Sequence, residues 1–167
     1  DLNKMHPVYG YTMLKGIIEL SSVTKMGILQ HHERCDGSGY PKGLKNEDIS
    51  EFGKIIAIAD TYDALTSDRS YRPAYTPWEA YEFLLGDGGI HYDFDILKVF
   101  NKCIAVFTVD TCVELSDGTR AIVLKNNPSN PLRPVLRNLE NNIIIDLVND
   151  KNHFALCILH FAFCIHQ

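Results

Sequence analysis

The chain has 167 residues, of which 46% are hydrophobic and 22% charged, proportions that suit a soluble globular protein of one domain, or one domain with a small appendage. Sixteen Lys and Arg against 21 Asp and Glu leave a net charge of −5 with histidine neutral, which excludes the global basic field of a nucleic-acid binder. An anionic ligand would have to be held by local cations, either bound metal or a few Arg and Lys side chains.

Read in chain order, the signals are helical up to about residue 107. His6-Pro7 places proline in a first helical turn, where its missing N–H costs nothing. Val8, Tyr11, Thr12, Leu14, Ile17, Ile18 and Leu20 then form a mostly helical apolar stripe. A second helix is predicted over Val23 to His32, followed by the Gly-rich, charged loop CDGSGYPKGLKNED. Helical spacing returns from Ile49 to Thr66, through Phe52, Ile55, Ile56, Ile58, Ala59, Tyr62 and Leu65. Thr76-Pro77 reads as an N-cap with proline behind it, opening a helix through Leu85 that Gly86 to Gly89 end. Asp93 caps a last helix, expected from Phe94 to about Phe107.

After Thr108 the pattern changes to short strands. TCVELS and TRAIVLK flank Asp117-Gly118, a strong two-residue hairpin signal. A Pro/Asn-rich loop follows, and PVLRNL and NIIIDL then flank a polar turn around Glu140-Asn141. Residues 111–147 are therefore expected to form a small antiparallel sheet. The apolar tail from Phe154 to Ile165 is shorter than the roughly 20 residues a membrane-spanning helix needs. Five widely spaced cysteines, with no CxxC, argue against a zinc ribbon or a disulfide scaffold and for reduced thiols in the cytoplasm. The opening DLNKMHP is polar, unlike a signal peptide. It does not begin with Met, so the chain is expected to be a piece of a longer protein.

Four features carry chemistry, and each has a plainer alternative. His31 and His32 are adjacent. On a helix such neighbours point about 100° apart, so the pair suits two metals about 3.5–4 Å apart better than one chelated ion. An exposed pair at a helix end would look the same. His6 could be a ligand, a cap or a core histidine. Asp60 lies in the apolar run IIAIAD, where a buried carboxylate needs a metal or a partner; an ion pair with Arg69 or Arg72 would also serve, and Asp63 competes for the role. In DGSGYP the glycines permit tight backbone, from which Tyr40 could reach a ligand or simply pack on a helix.

Taken together, HPVYG, HHERCDGSGYPKGL, IIAIADTYDALTSDRSYRPA and FDILKVF stand in the order and near-spacing of the HD-GYP family, which this chain resembles from about Met5 to Phe100. The resemblance implies a mainly α, HD-domain-like helical bundle, incomplete here, followed by a small antiparallel β appendage. The GYP half of the catalytic domain would occupy residues 1–107, and the β extension and apolar tail residues 108–167. It implies two or three iron or manganese ions held by His6, His31, His32 and Asp60, with Tyr40, Arg69 and Arg72 near a bound dinucleotide. Arg suits that task because its planar fork bonds a phosphate with two parallel contacts. The implied activity is hydrolysis of cyclic di-GMP within a longer cytoplasmic signalling protein. An upstream sensor or receiver domain, a homodimer and a diguanylate cyclase contact are its implied partners.

The family's HD pair, which supplies a metal-bridging Asp, has no counterpart in this sequence, so the fragment alone is expected to be inactive. Lys54 stands where many members have Arg, and Asn46 where many have Gly. Two rival readings remain open: a non-catalytic interaction module, and an HD-type hydrolase of another nucleotide.

Overall fold

A computed structural model describes every residue except Asp1, Ser70, Tyr71 and residues 159–167. Most of the apolar tail, with His160 and Cys164, thus lies outside the described residues. The chain divides into two compact units. One comprises Asp1–Ala74 and Glu82–Phe100, the other Tyr75–Tyr81 and Asn101–Gln167. The helices are α1 (His6–Leu14), α2 (Ser22–Gln30), α3 (Glu51–Thr66), α4 (Pro77–Gly86) and α5 (Phe94–Cys103). The strands are β1 (Cys112–Leu115), β2 (Arg120–Lys125), β3 (Val135–Asn138), β4 (Ile144–Asp146) and β5 (Ala155–Ile158).

In the first unit, local chemistry sets where each helix begins. The Ser21 hydroxyl accepts the Thr24 N–H to open α2, and the Ser50 hydroxyl accepts the Gly53 N–H at 3.2 Å to open α3. Asp93 accepts the N–H groups of Asp95 and Ile96 to open α5, while its other oxygen pairs with Lys54 at 3.0 Å. The core of this unit is Ala57, Ile58, Leu84, Tyr92 and Leu97, flanked by Tyr62, Ile96 and Phe100. Burying such side chains fully is worth roughly 1.5–3 kcal/mol each.

Two helices are shorter than their apolar patterns. The expected α1 stripe reaches Leu20, but the helix stops at Leu14. Gly16 is a poor helix residue, and the Lys25 ammonium donates to the carbonyls of Lys15 and Ile17, holding the chain in a turn. Helix α5 stops at Cys103 rather than near Phe107, and Val106 and Phe107 instead enter the core of the second unit.

In the second unit the sheet has the order β4-β3-β2-β1-β5, antiparallel throughout. The β1–β2 hairpin turns at Asp117-Gly118, where Gly118 takes φ +85° and Asp117 accepts the Thr119 N–H. Its period-2 pattern sends Val113, Leu115, Ala121, Val123 and Leu136 into a core shared with Tyr81, Phe107, Leu147 and Ala155. The β3–β4 turn is built on the Asn138 side chain, which accepts the N–H groups of Glu140 and Asn141. Thr76 and Glu79 cap each other reciprocally where α4 begins. Cys35 and Cys103 are free thiols, whereas Cys112 is disulfide-bonded, which departs from the expectation of reduced cysteines only.

Candidate metal centre and its pocket

Helix α2 ends at Gln30, so His31 is its C-cap and His32 lies beyond it in a turn. Both rings turn the same way, with centroids 4.2 Å apart. His6, from the first turn of α1, meets them. Its Nε2 is 3.1 Å from Nε2 of His31 and 3.1 Å from Nε2 of His32. The doublet and His6 thus bring ligand nitrogens together, within 4.8 Å of one another.

That spacing suits a cation. Two nitrogens each about 2.1 Å from one ion lie roughly 3.0–3.4 Å apart. His31 Nδ1 is 2.7 Å from the Ile28 carbonyl, which can only accept, so Nδ1 carries a proton, and in the neutral tautomer this leaves the Nε2 lone pair for a ligand. Burial, and then the neighbouring His31, push His32 down to about 4, against the opposing pull of Asp60. It is therefore neutral near pH 7, as a ligand must be. One proton on His6 Nε2 cannot serve both facing nitrogens at full strength, whereas one cation among the three satisfies all of them. Among the described residues these three form the one group of His, Cys, Asp and Glu close enough to hold an ion.

Asp60 comes to the same place from a different side. Its carboxylate is 3.8 Å from His32 Nδ1, not from the converging Nε2 atoms, and its side chain is 45% exposed. The apolar run around it had suggested a buried carboxylate. On α3 it instead shares a face with Ala64, four residues on, and that face lines an open pocket of about 510 Å³. His32, Arg34, Arg69, Arg72 and Phe83 line the same pocket. Asp63 is exposed and is not among its lining residues.

The two predicted arginines are placed differently. Arg69 is exposed, while Arg72 donates to the carbonyls of Ala64 and Leu65 at the C-terminal end of α3. Tyr40 is not among the residues lining this pocket. It stacks on His32 with centroids 4.7 Å apart and rings 29° from parallel. Burial pushes its hydroxyl pKa up, so it remains a donor at neutral pH.

Arg34 is a pocket residue that motif reading passed over. It donates to the carbonyls of His31 and Glu33, and its guanidinium sits 5.1 Å from the centre of the Tyr92 ring. Tyr92 in turn shares a hydrogen bond with Thr61, next to Asp60 on α3. Arg34's position directly after HHE was the available signal.

The HD domain family model matches residues 1–96. This chain belongs to the HD domain family. Over 133 residues the HD-domain chain is 35% identical to a cyclic di-GMP phosphodiesterase of Pseudomonas aeruginosa, covering 80% of this chain and 32% of that protein. It is 40% identical over 95 residues to a 3′3′-cGAMP-specific phosphodiesterase of Vibrio cholerae, covering 56% of this chain and 18% of that one. The crystal structure of a cyclic GMP-AMP-specific phosphodiesterase from V. cholerae shares the fold, with TM-score 0.50 and 22% identity over 61% of this chain and 23% of that chain. The HD-GYP resemblance read from the motifs agrees with these relatives. The chain spans about a third of the first relative's length and less than a fifth of the second's. No helix among the described residues is long and apolar enough to cross a membrane.

Proposed function

We propose that this chain is part of a metal-dependent phosphodiesterase that hydrolyses cyclic di-GMP. The observation that carries the reading is that His6 Nε2 lies 3.1 Å from Nε2 of both His31 and His32, beside a pocket lined by Asp60 and three arginines. His6, His31, His32 and Asp60 would hold two or three divalent ions, iron or manganese. Such ions, when bound, polarise a phosphodiester and supply hydroxide at neutral pH. The side chains of this unit do the rest. His31 and His32 present their Nε2 atoms to His6, with the His31 ring held by the Ile28 carbonyl. Arg69 and Arg34 offset phosphate charge in a chain that is acidic overall, and Arg72 holds the end of α3 that frames the pocket. Phe83 and Tyr92 supply apolar walls for a base. Water's oxygen joins phosphorus, the bond to the 3′ oxygen breaks, and that oxygen leaves with a proton.

The relative named for 3′3′-cGAMP supports a second substrate reading, a mixed cyclic dinucleotide hydrolysed by the same chemistry. A cytoplasmic setting, an upstream sensor or receiver domain, and a homodimer or diguanylate cyclase contact belong to the proposal for the whole protein.

The test uses the full-length parent protein loaded with Mn²⁺ or Fe²⁺ and offered each dinucleotide separately. Conversion of cyclic di-GMP to linear dinucleotide or GMP, abolished by chelator and by His31→Ala, is expected. Faster turnover of 3′3′-cGAMP would select the second reading. A metal-loaded protein that leaves both intact would sink the enzymatic one.

A further inference from the structure

We propose that Glu33 is a positioning residue: its carboxylate, without touching substrate, holds the 37–44 loop so that the Tyr40 ring clamps His32 in its metal-facing orientation. This rests on the reading of His32 as a ligand. Glu33 is 2% exposed, and no salt bridge reaches it among the described residues. A buried carboxylate without a cation must be compensated by hydrogen bonds. Its Oε1 accepts the Lys42 N–H and its Oε2 the Leu44 N–H, both at 2.8 Å. Both oxygens are thus spent on the return leg of the loop.

The outgoing leg is held by contact. A Cβ at Gly39 would lie 2.4 Å from Arg34 N and 2.5 Å from the His32 carbonyl oxygen, so the loop backbone lies directly on the HHER turn. The Tyr40 N–H donates to that same His32 carbonyl at 3.1 Å. Asp36 and Lys45 close the loop's base in a β-bridge, with the Asn46 N–H donating to Cys35. Tyr40, at the fold between the two legs, then has little freedom except to lie on His32. With His32 Nε2 facing His6 and one face of its ring stacked on Tyr40, rotation of the imidazole away from the cluster is opposed. The chain of contacts runs from Glu33 to the Lys42 and Leu44 amides, to Tyr40, to His32.

Glu33→Gln tests it, because an –NH₂ replaces one oxygen and faces a backbone N–H, donor against donor. The first readout needs no metal: the His32 Cε1–H resonance of the metal-free, full-length parent with histidine isotopically labelled, which the Tyr40 ring current displaces. Tyr40→Ala and Glu33→Gln are each expected to move it in the same direction. Tyr40→Phe should leave it in place, and the double variant should match Tyr40→Ala alone. The second readout is kinetic: Glu33→Gln should lower kcat on cyclic di-GMP about tenfold, the scale of outer-shell ligand partners, with a smaller change in KM.

A wild-type His32 resonance in a folded Glu33→Gln protein overturns the proposal, as does a double variant whose losses simply add. If circular dichroism finds Glu33→Gln unfolded, Glu33→Asp decides: it keeps both acceptors but retracts them by one methylene, and an unmoved His32 resonance there overturns the proposal equally. A Tyr40-dependent His32 shift in a protein that hydrolyses neither dinucleotide would remove the functional reading and leave the positioning intact.

Discussion

Two histidine sites, one in each unit, are built in opposite ways. In the helical unit, His6, His31 and His32 turn nitrogen toward nitrogen, with Asp60 reaching only the far side of one ring. In the sheet unit, His153 lies between two acids, 2.7 Å from Asp150 and 3.2 Å from Asp117. Hydrogen bonding to Asp150 raises its pKa, and the charge of Asp117 adds to that. The first group turns ring nitrogens toward one another, an arrangement that suits a shared cation. The second is complete as it stands. Converging ring nitrogens fit a metal ion, while a histidine already paired with carboxylates accounts for itself as structure. His91, between Asp36 and Asp87, belongs to the second kind.

The sharpest way to break this contrast is to remove one histidine from each group in the full-length parent. His32→Ala should release bound metal and lower turnover about a thousandfold or more, beyond the roughly 10–100-fold typical of outer-shell partners. His153→Ala should leave metal stoichiometry, read by elemental analysis, as in the wild type. Equal metal loss in both would end the comparison.

Next in size, Phe107→Ala empties a fully buried position in the core of the sheet unit. It should cost about 3–5 kcal/mol in denaturant unfolding. A cost below about 1 kcal/mol would mean that this core does not hold the unit together. Ser50→Ala removes the N-cap of α3, the helix that carries Asp60, and should cost about 1 kcal/mol.

The smallest effect is the most diagnostic of a self-sufficient cluster. The folded pKa of His153 lies above its ordinary value of about 6.5, so its stabilisation is fully present below that pH and is lost as pH rises through the folded value. Asp150 is depressed mainly by its hydrogen bond to His153, and Asp117 mainly by Thr119, so the carboxylate contribution fades as pH falls through their lowered values. A His153→Gln protein should therefore melt below wild type between about pH 5 and 6 and converge with it by about pH 9. Parallel melting curves across that range would show that the two acids do not hold the histidine.

Legibility differed by kind of feature. The β1–β2 hairpin was readable because Asp117-Gly118 supplies both the positive φ and the side-chain acceptor that the turn uses. The starts of α4 and α5 were readable because Thr76 and Asp93 cap locally. The ends of α1 and α5 were not. They depend on Lys25 reaching back to two carbonyls and on Phe107 being drawn into a distant core, neither of which leaves a trace in local periodicity. The pairing of β5 with β1, some 40 residues earlier in the chain, was not readable, because nothing local marks so distant a partner.

By itself the sequence determined the residue types, the caps and turns, the period-2 strands, and the motif order that marks the HD family. Those are local properties, written in spacings of two to four residues or in strings long enough to be specific. Only the tertiary structure decided that His6 meets His31 and His32, because that depends on α1 packing against α2. It also decided that Asp60 approaches the outer nitrogen of His32, that Arg72 caps α3 while Arg34 enters the pocket, and that Glu33 carries the loop. Side-chain direction at a helix end, and the choice of partner across 25 or more residues, arise from packing among segments and are not encoded in any one of them.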